Sequence, residues 1–341
     1  MLKRIITLII VMLIVFGCAR KSTEWKEKHT LDLAVTVPVV GNPLDLDAAG
    51  SYVYVAEDQG GLSIINLNDY SKKWYTQIYD ETGNIMPLIK TSRISVVPSL
   101  NRLFINEREG SDEIRSVDIT DLDSLFLVDR ITGGTADIQN MKFRDVSGNG
   151  SQFVYEGYYC LGGDVSYGKF GIHDSSFPAY WSVTKSYELP EANGAAFIDQ
   201  YVYVAAEQRG LAIFDFYNET QVGVCDLPGE AQKVKVVGNY AYLPCRQDGL
   251  QIVDVTNPAA PVKVSSYDTS GYATNVDIWN DYAIVGSGGG GVYLFDITNP
   301  ADPVLKDHIT DCGYVNNVMF YDGKALVASR DKGILIYNIV P

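Results

Sequence analysis

The stretch GLQIVDVTNP, residues 249–258, decides the fold because close copies of it recur along the chain. GVYLFDITNP follows at residues 291–300, and GILIYNI at residues 333–339. The leading glycines Gly249, Gly291 and Gly333 follow one another at intervals of 42 residues. Short apolar runs between turn-forming residues, repeated at this spacing, indicate one four-stranded unit per repeat.

Seven such units fit the chain. The copies near residues 61, 210, 249, 291 and 333 are clear, whereas those near residues 113 and 169 diverge. Each unit reads as four strands, called A to D below, and strand C is almost continuously apolar. An antiparallel strand with one wet face would alternate, so each sheet must be covered on both faces. The sequence therefore predicts an all-β fold, a seven-bladed β-propeller of four-stranded antiparallel blades.

The recurring GLQIVDVTNP stretch resembles the repeat of the LVIVD-repeat β-propeller lipoproteins, a family of bacterial and archaeal surface propellers. The resemblance covers nearly all of residues 40–341 and is poorest near residues 113 and 169. It implies an exported propeller, and it implies no activity because the family carries no agreed one. WD-repeat propellers match less well, since no Trp-Asp dipeptide ends strand C here.

The last unit stops after its strand C, because Pro341 ends the sequence. Residues 31–38 precede the first strand A and have the pattern of a strand. This N-terminal strand can supply the missing strand D, so that the first and last segments share a blade. The ring would then have no open sheet edge.

The N-terminus reads as a lipoprotein signal peptide over residues 1–17. Lys3 and Arg4 precede an apolar stretch at residues 5–16, which is too short for a comfortable membrane span. The junction VFGC, residues 15–18, resembles the bacterial lipobox, and this implies that Cys18 is lipidated and becomes the new N-terminus. Polar residues 18–30 form a tether to a propeller at residues 31–341. The alternatives are an uncleaved helix, or an ordinary signal peptide followed by a chance cysteine.

The net charge of −15 argues against a nucleic-acid partner, because an acidic surface repels phosphates. Membrane attachment then needs the lipid at Cys18 rather than a basic patch. The other cysteines are Cys160, Cys225, Cys245 and Cys312. An exported protein can form disulfides, but four scattered positions do not define a pairing. Small buried side chains are the preferred interpretation.

Catalytic constellations are sparse, since His29, His173 and His308 are the only histidines. Three histidines are too few to favour a Ser-His-Asp triad or a histidine-rich metal site. We therefore expect a protein that is not an enzyme and that binds no metal ion and no cofactor. Residues 145–156 match the spacing of a calcium loop, with Asp145 first and Glu156 twelfth. A long A–B turn is the preferred interpretation of that stretch.

Polar variation concentrates in the B–C loops and at the beginning of strand A, which share one face of a propeller. Binding residues concentrate in loops on a rigid scaffold, although a solvated rim is the alternative. The predicted ligand-binding residues are Asp45, Arg93, Asn140, Lys233, Arg246, Asn275 and Asn317. The Asp or Asn that closes each strand C is interpreted as a turn residue.

The sequence as a whole favours a non-enzymatic binding or scaffold module for a protein, a peptide or a glycan. It would be exported and held at an outer membrane or cell surface through Cys18. One alternative is a propeller enzyme with an axial site, such as a hydrolase, a lyase or a quinone-dependent dehydrogenase. Another is a structural subunit of an envelope complex.

Overall fold

The computed structural model describes residues 30–98, 101–107, 113–131, 142–147, 159–164, 169–174, 182–189 and 192–340. The signal peptide, Cys18 and Asn140 lie outside these residues, as does most of the calcium-type stretch 145–156. Over the described ranges every regular element is a β-strand, so the all-β prediction is confirmed for them. No helix long and apolar enough to cross a membrane occurs in those ranges.

Thirty strands form seven sheets in the described part of the chain. Sheet 1 contains β2 (Asp45–Ala49), β3 (Tyr52–Ala56), β4 (Leu62–Asn66) and β5 (Lys72–Tyr75). Sheet 2 contains β6 (Gln77–Tyr79), β7 (Ile85–Pro87), β8 (Thr91–Val97), β9 (Arg102–Glu107), β10 (Glu113–Asp118) and β11 (Phe126–Ile131). Sheet 3 contains β12 (Lys142–Ser147), β13 (Tyr159–Asp164), β14 (Lys169–Asp174) and β15 (Ser182–Glu188).

The C-terminal half continues in the same manner. Sheet 4 contains β16 (Gly194–Ile198), β17 (Tyr201–Ala205), β18 (Leu211–Asp215) and β19 (Thr220–Cys225). Sheet 5 contains β20 (Lys235–Val237), β21 (Tyr240–Pro244), β22 (Leu250–Asp254) and β23 (Val262–Tyr267). Sheet 6 contains β24 (Asn275–Trp279), β25 (Tyr282–Gly286), β26 (Val292–Asp296) and β27 (Val304–Ile309). Sheet 7 contains β28 (Val315–Tyr321), β29 (Lys324–Ser329), β30 (Gly333–Ile339) and β1 (Leu31–Val37).

Sheet 2 departs from the predicted four strands. Six of the sheets are four-stranded and antiparallel, as predicted, whereas sheet 2 has six strands. Its extra hairpin, β6 and β7, joins the outer strand β11 through a parallel pairing of Tyr79 with Phe126. Ile78 in the hairpin is fully buried. The link between sheets 1 and 2 therefore covers an outer edge that would otherwise expose unpaired backbone groups.

Strand C is apolar on both sides because neighbouring sheets cover both of its faces. In β26, Val292 and Leu294 belong to the cluster that contains Val315 and Leu335 of sheet 7. Tyr293 and Phe295 belong instead to the cluster shared with sheet 5. Successive side chains of one strand point to opposite faces, so both sets are buried.

Residues from both ends of the chain share sheet 7. Strand β1 pairs antiparallel with β30, and Leu31 lies opposite Ile339. The backbone N–H of Leu31 also donates to Oδ2 of Asp307 in sheet 6 at 2.9 Å, and the N–H of Val340 donates to the carbonyl of Thr30 at 2.7 Å. The predicted strand at residues 31–38 therefore occupies the strand D position of the last unit.

The Asp or Asn at the end of strand C is a turn residue, as predicted, in five of the units. Oδ1 accepts a backbone N–H two residues further along the chain in Asn66, Asp118, Asp215, Asp254 and Asp296. Such bonds close a turn locally and use the oxygen that a ligand would need.

Three of the cysteines are buried free thiols, namely Cys225, Cys245 and Cys312. Burial raises the pKa of Cys245 to about 12 and that of Cys312 to about 11. A thiol that stays protonated is a poor nucleophile, so these two side chains act as small apolar residues of the core.

Candidate functional site

A polar cavity of about 270 Å³ lies where the A strands of sheets 1, 2, 5, 6 and 7 meet. Its charged and amide-bearing lining residues are Asp45, Asp47, Lys233, Lys235, Asn275, Asp277 and Asn317. The structure therefore brings together four of the seven predicted site residues: Asp45, Lys233, Asn275 and Asn317. We call this space the central cavity.

Sequence reasoning missed Asp47, Lys235 and Asp277. They stand two residues after Asp45, Lys233 and Asn275, and residues two apart in a strand share one face. The period of two would have identified them once strand A was recognised. In sheet 4 the register places Gly194 and Ala196 at the corresponding positions, so that sheet offers no polar side chain there.

The carboxylates of Asp45 and Asp277 hold neighbouring sheets together. Oδ2 of Asp45 accepts the backbone N–H of Ile94 in sheet 2 at 3.1 Å, and Oδ1 accepts the side-chain amide of Asn317 in sheet 7. Oδ2 of Asp277 accepts the N–H of Phe320 in sheet 7 at 2.8 Å, and Oδ1 lies 2.7 Å from Nζ of Lys235. Both carboxylates therefore already have hydrogen-bonding or ionic partners within the protein.

Asp47 lies beside Asp45 on the same strand. Its Oδ2 accepts the N–H of Val96 in sheet 2, and its Oδ1 accepts the N–H of Ala48, both at 2.8 Å. The side chain is half-buried, and the protein atoms packed around it reduce its contact with water. This burial raises the pKa of Asp47 to about 6, with a smaller contribution from the Asp45 charge, against the lowering effect of the two hydrogen bonds and Lys233.

Of the remaining predicted residues, Arg93 and Arg246 do not line the central cavity. Arg93 is a half-buried residue of β8, two positions before the lining residue Ser95. Arg246 lies in the B–C loop of sheet 5, where its guanidinium pairs with Glu230 at 2.6 Å and its side chain is 41% exposed. Asn140 lies outside the described residues.

The B–C loops share one backbone turn although their side chains differ. The second loop residue has a positive φ in Asp58, Glu207, Arg246 and Gly288. Each of these residues forms an isolated β-bridge to the following sheet, with Thr91, Ala231, Ala273 and Val315 respectively. This structural role is separate from the predicted binding role of the varied side chains, because the shared backbone joins adjacent sheets whatever the side chain is.

A larger cleft of about 540 Å³ opens at the A–B turns of sheets 1 and 2. Its ionic groups include Lys73 and Asp123, which pair with each other at 2.5 Å. Asp123 is 82% exposed, so this pair is solvated and the cleft is a surface groove. The central cavity has the better-buried polar groups, and it is the candidate site.

Metal-type clusters are absent from the part of the chain that the structure describes, where no three His, Cys, Asp or Glu side chains stand close enough to hold an ion. His308 has a packing environment. Its ring stacks on Tyr293 with centroids 3.9 Å apart, and its Nε2 lies 2.8 Å from the carbonyl oxygen of Gly290.

Comparison with known families gives a direct match. The LVIVD repeat model matches residues 40–80, 192–223, 228–269 and 270–311. This chain carries LVIVD repeats. The four stretches coincide with sheets 1, 4, 5 and 6. The divergent units of sheets 2 and 3 are not matched, and neither is the unit near residue 333 in sheet 7, which was expected to be a clear copy. None of the curated protein sequences matches the LVIVD-repeat chain.

Solved structures similar to the LVIVD-repeat chain include β-propellers. The β-propeller domain of Myceliophteria thermophila Cps50 (Swd1) has a TM-score of 0.70 at 9% identity, covering 91% of this chain and 100% of that one. The WD40 β-propeller domain of Doa1 has a TM-score of 0.67 at 13% identity, with 90% and 96% covered. BamB from Moraxella catarrhalis has a TM-score of 0.54 at 14% identity, with 86% and 81% covered. At sequence identities this low, the structural similarity supports the β-propeller fold alone.

Proposed function

We propose that the protein is a non-enzymatic binding module whose partner, a protein, a peptide or a glycan, docks at the central cavity. The observation that carries this proposal is the cavity itself, where amide and ammonium groups stand beside carboxylates in a space of about 270 Å³. Polar groups that converge in a preformed concavity are what recognition sites use. The cavity lies nearer the B–C loops, because Asp45 and Asn275 begin their strands at that edge.

The proposed scaffold is a seven-bladed ring closed by β1. Support comes from contacts between A strands: β2 contacts β8 and β28, and β24 contacts β20 and β28. Likewise β12 contacts β8 and β16, and β16 contacts β20. Each sheet thus has two neighbours, which is the arrangement of a propeller without a gap.

The proposed attachment is a lipid on Cys18, which would hold the exported protein at an outer membrane or cell surface. Thr30 lies beside Val340, at the end of a strand C and hence at the edge of the A–B turns. A tether that reaches sheet 7 there leaves the B–C loop face free for a partner. Cys18→Ala should release the protein from the membrane fraction, and a variant that stays membrane-bound would contradict the anchor.

Affinity capture from the native envelope tests the binding site. Lys233→Met and Asn275→Leu change the cavity, whereas Lys324→Met makes the same charge change at the opposite edge, where Lys324 Nζ bonds Oδ1 of Asn338. We expect a partner retained by the wild type and by Lys324→Met to be lost from both cavity variants. Equal capture by all four proteins would refute the central cavity as the docking site.

A further inference from the structure

Asn275 has no hydrogen-bonding partner for its side chain among the described residues. The residue is only 4% exposed, and it lines the central cavity. Because Asn275 lines the cavity, its amide atoms keep contact with the cavity space and are not among the described polar atoms that are sealed off without a partner. The carboxamide of Asn275 is therefore available to a molecule inside the cavity.

Lys233 is the second group with unused donors. Its Nζ makes an ion pair with Oδ1 of Asp45 at 3.7 Å, which is longer than a hydrogen bond, and its side chain is 19% exposed. An ammonium group carries three donors and no acceptor. The ammonium of Lys233 is therefore free to donate to a ligand in the same cavity as Asn275.

The carboxylate groups of the cavity already have partners within the protein. Each carboxylate oxygen of Asp45, Asp47 and Asp277 accepts a hydrogen bond or faces a lysine. Most of their donors are backbone N–H groups, which a ligand cannot displace without separating the strands. Unused donors therefore remain on Lys233 and Asn275, so these two residues favour a ligand that presents acceptors to them although the whole chain carries a net charge of −15.

We propose that the central cavity binds a singly charged carboxylate group, held by the Lys233 ammonium and the Asn275 carboxamide. This inference rests on the proposed function and specifies the chemistry of its ligand. Three aspartates and two lysines line the cavity, so a dianion such as phosphate would meet more repulsion than a monoanion. A carboxylate is also flat and has two oxygens, which suits two donors.

Two sources share this chemistry, a small free acid and the C-terminus of a peptide. The full-length protein in detergent is titrated calorimetrically with acetate, with N-acetylglycylglycine, and with the C-terminal amide of that dipeptide. Inorganic phosphate and tetramethylammonium serve as the dianionic and cationic probes. For probes this small we expect dissociation constants on the order of 1 mM. Binding of acetate alone indicates a small acid, whereas tighter binding of the dipeptide acid indicates a peptide terminus.

Lys233→Met and Asn275→Leu should each weaken carboxylate binding at least tenfold. The Lys324→Met variant should bind the carboxylate probes as tightly as the wild type does. Asn275→Leu should keep the thermal midpoint, because the replaced amide bonds nothing in the protein, so lost binding cannot be blamed on unfolding. Tighter binding of phosphate or tetramethylammonium, no carboxylate binding, or carboxylate binding that survives Lys233→Met overturns the assignment. If the carboxylate assignment fails while partner capture still depends on the cavity residues, the proposed function stands. If partner capture does not depend on them either, the proposed function fails together with the carboxylate assignment.

Discussion

The side-chain amide of Asn317 in β28 donates a hydrogen bond to the carboxylate of Asp45 in β2, 272 residues earlier in the chain. Both residues are only 3% exposed, and both line the central cavity. The bond joins sheet 7 to sheet 1. The wall of the candidate site is therefore also part of the contact between the two ends of the repeat array.

Asn317→Ala should destabilise the fold by about 1–3 kcal/mol, because it leaves a buried carboxylate oxygen with one donor fewer. A double-mutant cycle with Asp45→Ala, followed by urea unfolding, separates the bond from other losses. We expect a coupling free energy above about 1 kcal/mol. Additive effects of the two substitutions would show that the amide and the carboxylate act independently.

A chain that begins at Val39 should be less stable than one that begins at Thr30 by several kcal/mol. The truncation removes β1, whose Leu31 and Val37 are 2% and 5% exposed, and burial of such side chains contributes about 1.5–3 kcal/mol each. Denaturant unfolding of both proteins measures the difference. Equal unfolding midpoints would mean that β1 adds nothing to sheet 7.

Lowering the pH should stabilise the folded wild-type protein relative to the Asp47→Asn variant. The pKa of Asp47 is raised to about 6 from 3.8, so the folded state holds a proton that the unfolded state releases. The stability linked to this proton is complete below about pH 4 and is lost as the pH rises through 6. Between pH 5 and pH 8 the wild type should lose about 1 kcal/mol more than Asp47→Asn. Parallel pH profiles from urea unfolding would exclude a raised pKa.

Arg246→Gly should leave the stability unchanged or raise it by about 0.5 kcal/mol, because Arg246 has a φ of 44° and glycine adopts such values without strain. The lost ion pair with Glu230 is largely solvated and contributes little. Arg246→Val should cost about 1–2 kcal/mol, since a branched side chain resists positive φ. If thermal melting ranks the two variants in the opposite order, the side chain matters more than the turn.

The pattern of strands can be read from the sequence, and with it part of the site. The leading glycines Gly249, Gly291 and Gly333 mark the beginnings of β22, β26 and β30 within one residue. The beginnings of the A strands identified Asp45 and Asn275. The hairpin of β6 and β7 was missed because three-residue strands carry too little periodic signal. Among the described residues, neither strand has a counterpart in the other sheets.

Two features of the site depend on tertiary structure that no local pattern encodes. The bond between Asn317 and Asp45 joins residues at opposite ends of the chain, so spacing gives no hint of it. The shared turn of the B–C loops was missed for a different reason. Glu207 and Arg246 differ in charge, but their φ values of 40° and 44° belong to the same turn.

A photo-crosslinking measurement tests the central claim, that partners bind at the central cavity, most directly. A diazirine analogue of methionine is placed at position 319, whose native Met319 is half-buried in the cavity lining, and separately at position 324 near the opposite edge. Cells are irradiated, and the adducts are resolved by mass. We predict an adduct from position 319 that Lys233→Met abolishes, and none from position 324. An adduct from position 324 together with none from position 319 would contradict the account.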